Sequence, residues 1–278
     1  MKKLIRAGLS TIGMFSPPLA GRIAFELWRR PLARGQLREA ERAIHEAARV
    51  EVIDGIVTYA WGDGTRPVLL VHGWRSRASR YAGFVERLLD LGYSPISYDG
   101  PGHGDTTRPM GTILDHQRII TRLAGRYGDF EGLIAHSLGV PFALYAVSQG
   151  VAAGRIVSIS GFADFGYLVD KFSLELGLRP SVQAALKRSI ERELFDGDPE
   201  IWTRFSVGPG DAELLVIHND VDDVVDPTQV DVLLASYGSK AQFSGKTGLG
   251  HGRILSDPAV IEEAVSFLDV PEGLDLSA

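Results

Sequence analysis

Leu133-Ile134-Ala135-His136-Ser137-Leu138-Gly139 is the stretch on which the reading of this chain turns. Gly132 to Ala135 reads as a short buried strand, and Leu138 to Ser148 as a helix closed by Gly150. A single serine stands at the turn between them. The spacing is that of a nucleophile elbow, G-x-S-x-G, with Ala135 in the first glycine position. Such a turn strains the backbone of its serine, and the neighbours two positions away must be small so that strand and helix can approach. Pro141 falls in the first turn of the helix, where a missing N–H costs nothing. A serine that only caps a helix would give the same local pattern, so the surrounding elements have to decide.

Outward from the serine, short β-branched runs alternate with longer amphipathic ones. Val50 to Ile53 and Ile56 to Trp61 flank Asp54-Gly55, a strong hairpin signal. Val68 to Val71, Tyr93 to Tyr98, Arg155 to Ser160, Glu213 to Ile217 and Lys240 to Ser244 read as further strands. Arg80 to Leu91, Thr112 to Tyr127, Thr228 to Tyr237 and Pro258 to Leu268 read as helices between or after them. This alternation predicts an α/β fold with a mostly parallel central sheet flanked by helices. The rhythm pauses over residues 161–211, which are helical in pattern. A helical insert between two strands predicts a lid over the carboxyl ends of the sheet, where ligands bind in open α/β folds. The expected organisation is an N-terminal helical extension over 1–49 packed on the body, a catalytic domain over 50–160 and 212–278, and the lid over 161–211.

Serine chemistry needs a base, and the base needs an orienting carboxylate. Of the seven histidines, His251 stands apart in the loop Thr247-Gly248-Leu249-Gly250-His251-Gly252 after the last strand. A glycine-rich loop can swing an imidazole back over the sheet edge. The acid is expected in the loop after Glu213 to Ile217, where Asp220, Asp222, Asp223 and Asp226 compete; Asp222 is preferred, with Asp223 and Asp220 behind it. A solvated turn or a cation site is the other reading of these aspartates, but their spacing is not that of a calcium loop. Two backbone N–H groups should face the developing oxyanion. Leu138 follows the serine, and Trp74 lies in His72-Gly73-Trp74 at the end of the first buried strand. His103, in Asp99-Gly100-Pro101-Gly102-His103-Gly104, reads as a support for loop backbone, and His136 as a bystander. Phe162, Phe165 and Trp202 of the insert, with Trp74 and Tyr81 opposite, could line an apolar substrate pocket. The same insert aromatics could equally form the insert's own core.

Composition narrows the choices further. The chain has 278 residues, no cysteine and a net charge of −6. Disulfides, thiolate metal sites and a cysteine nucleophile are excluded, and no cofactor or metal is expected. The acidic balance argues against nucleic acid as a partner. Residues 1–34 hold seven cations and one acid, Glu26. That end is therefore +6 and the remainder −12. The extension could pack on the body, lie on a membrane surface as a peripheral contact, or serve as a signal peptide. A cytoplasmic location is expected, with inner-membrane association as the alternative. The partner expected is a small acyl substrate.

Together these segments resemble the α/β-hydrolase superfamily across nearly all of residues 50–270. The matching pieces are His72-Gly73-Trp74, Pro101-Gly102-His103-Gly104, Ala135-His136-Ser137-Leu138-Gly139, the Asp222 turn and Gly250-His251. In that family the acid usually lies three residues after a glycine at the strand end; Asn219 holds the glycine's position here, which again points to Asp222. The resemblance implies the α/β-hydrolase fold and a Ser137-Asp222-His251 triad, with little information on substrate. Val140 stands where a second glycine often follows Gly139, which predicts slightly wider helix packing at the elbow.

Overall fold

The structure is a computed structural model and describes residues 2–30 and 34–269. These form two compact units, one made of residues 34–163 and 207–269, the other of residues 2–30 and 164–206.

The larger unit holds an eight-stranded sheet among the described residues, in the order β1-β2-β4-β3-β5-β6-β7-β8. The strands are β1 (Arg49–Ile53), β2 (Ile56–Ala60), β3 (Pro67–Val71), β4 (Ser94–Tyr98), β5 (Phe130–His136), β6 (Ala153–Ile159), β7 (Glu213–Asn219) and β8 (Ala241–Lys246). Every strand expected from the sequence is present. β1 and β2 form a hairpin in which Ile53 faces Ile56 across Asp54 and Gly55, both at positive φ as a tight primed turn requires. β2 pairs antiparallel with β1 and β4, while β3 to β8 run parallel.

Parallel pairing demands cover on both faces, and β3, Pro-Val-Leu-Leu-Val, is buried at all five positions. Val68, Leu70, Ile134, Val157, Ile159, Leu215 and Ile217 share one core with residues of α4 (Ala82–Asp90) and α12 (Pro258–Leu268). The alternate spacing of these residues puts them on one sheet face. The other helices of this unit are α3 (Glu39–Glu46), α5 (Ile113–Tyr127), α6 (Gly139–Ser148), α10 (Thr228–Tyr237) and α11 (Gly250–Arg253). α5 and α6 pack on each other.

The smaller unit is helical. It consists of α1 (Lys2–Phe15), α2 (Pro17–Trp28), α7 (Tyr167–Leu176), α8 (Pro180–Leu194) and α9 (Ile201–Arg204). α2 lies along α8 in close contact. Gly21 makes this possible, because a Cβ there would come 2.7 Å from the Ala185 carbonyl carbon and 2.9 Å from the Leu186 nitrogen. Residues 2–30 thus belong with the insert, whereas α3 belongs with the sheet. Glu41 of α3 pairs with Arg80, and the Trp61 indole N–H donates to the Ile44 carbonyl at 2.8 Å. The helical pattern of Leu19 to Arg49 is interrupted in sequence by Pro31 and Gly35, of which Pro31 lies outside the described residues.

The insert's aromatics pack on one another. Phe165 lies 5.2 Å from Phe205 and 5.8 Å from Trp202, ring to ring, and Phe195 closes the cluster 5.3 Å from Phe205. Of the two readings of Phe165 and Trp202, these contacts match the one in which they form the insert's core. No helix among the described residues is long and apolar enough to cross a membrane.

Candidate active site

β3, β5, β6, β7 and β8 run parallel and side by side, so the loops that leave the carboxyl ends of β3, β5, β7 and β8 share one edge of the sheet. β5 ends at His136, and Ser137 follows at φ +53° before α6 begins at Gly139. A left-handed serine costs about 1–3 kcal/mol and persists only where its surroundings enforce it. Gly139 is part of that enforcement, since a Cβ there would overlap the Val71 carbonyl oxygen. Val140, expected to widen the packing, is fully buried. Its bulk is absorbed by Gly161, where a Cβ would lie 2.5 Å from Val140 Cγ2.

Three of the residues singled out in the sequence meet at this edge. Ser137 Oγ–H donates to His251 Nε2 at 3.0 Å. His251 Nδ1–H faces both Asp222 oxygens, at 3.0 and 2.9 Å. Asp222 Oδ1 also accepts the N–H groups of Val224 and Val225, each at 2.9 Å. Burial would raise the Asp222 carboxyl, but the His251 hydrogen bond and the Val225 N–H outweigh it and hold the group below the ordinary carboxylate range. The imidazole is therefore presented with a carboxylate on one side and a hydroxyl on the other.

The competing aspartates are accounted for. Asp220 Oδ1 accepts the Gly248 N–H at 3.1 Å, which ties the β7 loop to the loop carrying His251. Asn219 does the same through Oδ1 and the Leu249 N–H at 3.1 Å. Asp223 is exposed.

Gly73 packs directly on the elbow: a Cβ there would come 2.8 Å from Ser137 Cβ and 3.4 Å from the Leu138 nitrogen. The β3 loop thus passes beside Leu138, whose N–H sits at the start of α6, where no intrahelical carbonyl can reach it. His72 holds this loop. Its Nδ1–H donates to the Gly73 carbonyl at 2.8 Å, and its Nε2 accepts the Gly100 N–H at 3.0 Å. Trp74 is half-buried and stands edge-on to His103, 5.4 Å between centroids. His103 Nδ1–H donates to the Pro101 carbonyl at 3.0 Å, the loop-supporting role read from the sequence.

Two of the pocket residues expected from sequence are buried in the larger unit. Tyr81 is fully buried, with its hydroxyl on the Val71 carbonyl at 2.8 Å, so it presents no surface to a substrate. Phe162 is 1% exposed. Tyr81 ends a one-turn helix just before α4 and packs into the core with Val68, Leu70 and Phe84, its ring 5.6 Å from that of Phe84, and Phe162, three residues past β6, is likewise turned inward.

His136 is not the bystander expected. Its Nε2–H donates to the His251 backbone carbonyl at 2.9 Å, and the two rings lie 4.8 Å apart. Nothing in the residue types signals this, because the acceptor is a main-chain atom more than a hundred positions away. Replacing His136 with phenylalanine should keep the ring volume and release the His251 loop. We expect kcat for ester turnover to fall roughly 10- to 100-fold with little change in KM, as small misplacements of a base do. Unchanged kcat in the folded variant would show that the hydrogen bond does not position His251.

Six histidines are buried and held neutral. Burial is the main cause at each; it lowers His45, His72 and His218, takes His116 well below its ordinary 6.5, and brings His103 to about 4 and His136 to about 3. An unfolded chain binds protons at these sites from about pH 6.5 downward, and the folded chain does not. Their stabilisation is therefore complete above pH 6.5 and is lost as pH falls toward 4. Each can contribute a slope of at most about 1.4 kcal/mol per pH unit. Thermal melting from pH 7 to 4 should record a steep fall; a flat profile would contradict it.

Comparison with known proteins agrees with this architecture. Residues 68–264 match the model of the "Alpha/beta hydrolase family". A curated relative, non-heme chloroperoxidase CPO-A1 of Kitasatospora aureofaciens, is 32% identical over 83 residues, which is 28% of this chain and 30% of that protein. The chain thus spans about a third of that relative's length in the match. Among solved structures, alpha/beta hydrolase domain-containing protein 10 from mouse superposes with a TM-score of 0.62 at 15% identity, covering 80% of this chain and 96% of that one. The esterase EaEST from Exiguobacterium antarcticum superposes at 0.57 with 18% identity, covering 80% and 98%. At such identities the structural likeness speaks for the fold alone, and the family match extends over most of the chain: this protein belongs to the alpha/beta hydrolase family.

Proposed function

We propose that this protein is a serine hydrolase that cleaves an ester or related acyl bond through an acyl-enzyme on Ser137. The observation that carries the reading is the unbroken run of hydrogen bonds from Ser137 Oγ through His251 to Asp222, with the serine at φ +53°. His251 Nε2 takes the hydroxyl proton as Oγ attacks the acyl carbonyl, and the oxyanion is met by the N–H groups of Trp74 and Leu138. Asp222 keeps the Nδ1–H tautomer of His251 and stabilises the imidazolium. The imidazolium then protonates the leaving group. Water, deprotonated by the same imidazole, releases the acid and restores the serine. The steps draw on no cofactor.

A serine at the elbow, rather than an aspartate, speaks for acyl chemistry. The esterase among the fold relatives is in keeping with an ester substrate. Of the apolar pocket expected from the sequence, half-buried Trp74 of the β3 loop stays next to the elbow, and the reading of the acyl group as small to medium and apolar rests on it. A series of p-nitrophenyl esters of increasing chain length, run beside thioester and anilide analogues, tests both parts. Turnover should be highest on the esters and decline at long chain lengths. A folded chain that turns over none of them would overturn the reading in favour of a ligand-binding member of the fold.

A further inference from the structure

α1 and α2 expose an apolar surface that none of the described residues covers. Leu9 and Gly13 of α1 are buried, and on a helical wheel the opposite side carries Leu4, Ala7, Gly8, Thr11 and Phe15, all exposed. Leu4 is 79% and Phe15 85% exposed, and Met14 beside them is exposed as well. No acid stands on this face, and Lys3 flanks it. Leu19, near the start of α2, is exposed as well.

From Leu19 a groove of about 440 Å³ runs along the outer side of α2, lined by Leu19, Ile23 and Leu27 with Arg22, Glu26 and Arg30. Leu19, Ile23 and Leu27 recur every four residues, which makes one apolar stripe. Arg22 and Arg30 stand along it. Glu26 is the one acid, and it is taken up by Arg29 and Arg30, both 3.0 Å from its Oε2. The surface is therefore apolar in the middle and cationic along its margin.

We propose that α1 and α2 form a docking surface for an anionic lipid bilayer, with the Leu4–Phe15 face set among the acyl chains and Arg22, Arg30 and Lys3 against the headgroups. An apolar helix face with basic residues beside it is the composition of an interfacial helix, and basic side chains there are drawn to anionic leaflets. Charge complementarity favours lipid over a second copy. A two-fold dimer through this patch would set each cationic margin against its own image. The inference stands apart from the hydrolase reading and does not depend on it.

The test uses the full chain in flotation against vesicles of phosphatidylglycerol and phosphatidylcholine in equal parts, and against phosphatidylcholine alone. The chain should float with the mixed vesicles, stay behind with the neutral ones, and be released by high salt. The double variant Leu4→Asp, Phe15→Asp and the double variant Arg22→Glu, Arg30→Glu should each weaken binding at least about tenfold, while ester turnover in solution and the melting temperature stay near wild type. Failure of the wild-type chain to float with either vesicle would overturn the proposal, and equal flotation with both would overturn its anionic part. A wild-type dimer in solution that Phe15→Asp converts to monomer would overturn it in favour of a second copy.

Discussion

Ser137→Ala is expected to lower ester turnover by roughly four to six orders of magnitude, the loss that follows when the nucleophile of such a triad is removed. The size of the effect follows from the geometry. His251 Nε2 has the Ser137 hydroxyl at 3.0 Å, and without Oγ the base has no nucleophile to activate. What survives is the contribution of the oxyanion donors and of binding. The fold should not suffer. Alanine has the same Cβ and takes the same left-handed backbone, and Ser137 makes its side-chain hydrogen bond to His251 at the site itself. The melting free energy should stay within about 1 kcal/mol of wild type. Turnover within tenfold of wild type in a folded Ser137→Ala would remove this serine from the mechanism.

Asp222→Asn should cost about 10⁴ in kcat. The asparagine oxygen can still accept the N–H groups of Val224 and Val225, so the turn keeps its shape. The amide then points an NH2 toward His251 Nδ1, which must accept. That tautomer carries its proton on Nε2 and cannot take one from the serine. Asp220→Asn keeps an oxygen for the Gly248 N–H, and Asp223 is exposed, so both variants should lose less than about tenfold. An Asp223→Asn variant that abolishes turnover while Asp222→Asn keeps it would transfer the acid's role to Asp223.

The two variants also mark how far the site is legible without coordinates. Ser137 and His251 can be read because tight turns need particular residues at fixed offsets: small groups beside the serine, and glycines around the histidine. The acid is harder. Four aspartates lie in one loop, and which one reaches Nδ1 depends on the local turn, here Asp222 Oδ1 capped by its own backbone two and three residues on. His136 gives no sign at all, since its partner is a main-chain carbonyl brought near by the sheet. Tyr81 misleads for a related reason. A tyrosine after the His72-Gly73-Trp74 loop looks like a pocket wall, yet its hydroxyl is satisfied inside by the Val71 carbonyl.

The strands are read well because continuous apolar runs such as Pro67–Val71 have few other uses. The grouping of helices is read less well. That α2 pairs with α8 rests on Gly21, which lies among small buried residues with Ala20 and Ala24. Such a group states that a helix approaches closely without stating which one. Residues 2–30 therefore look in sequence like one extension with α3, although their packing partner is the insert more than 130 positions away.

The central claim is that Ser137 is an activated nucleophile, and covalent labelling tests it most directly. The folded chain is treated with a fluorophosphonate, its intact mass is measured, and the modified peptide is mapped. The account predicts one phosphonyl group per chain, carried by Ser137, absent from Ser137→Ala and formed far more slowly in His251→Gln. A folded wild-type chain that takes up no phosphonyl group, or carries it on another residue, would contradict the account.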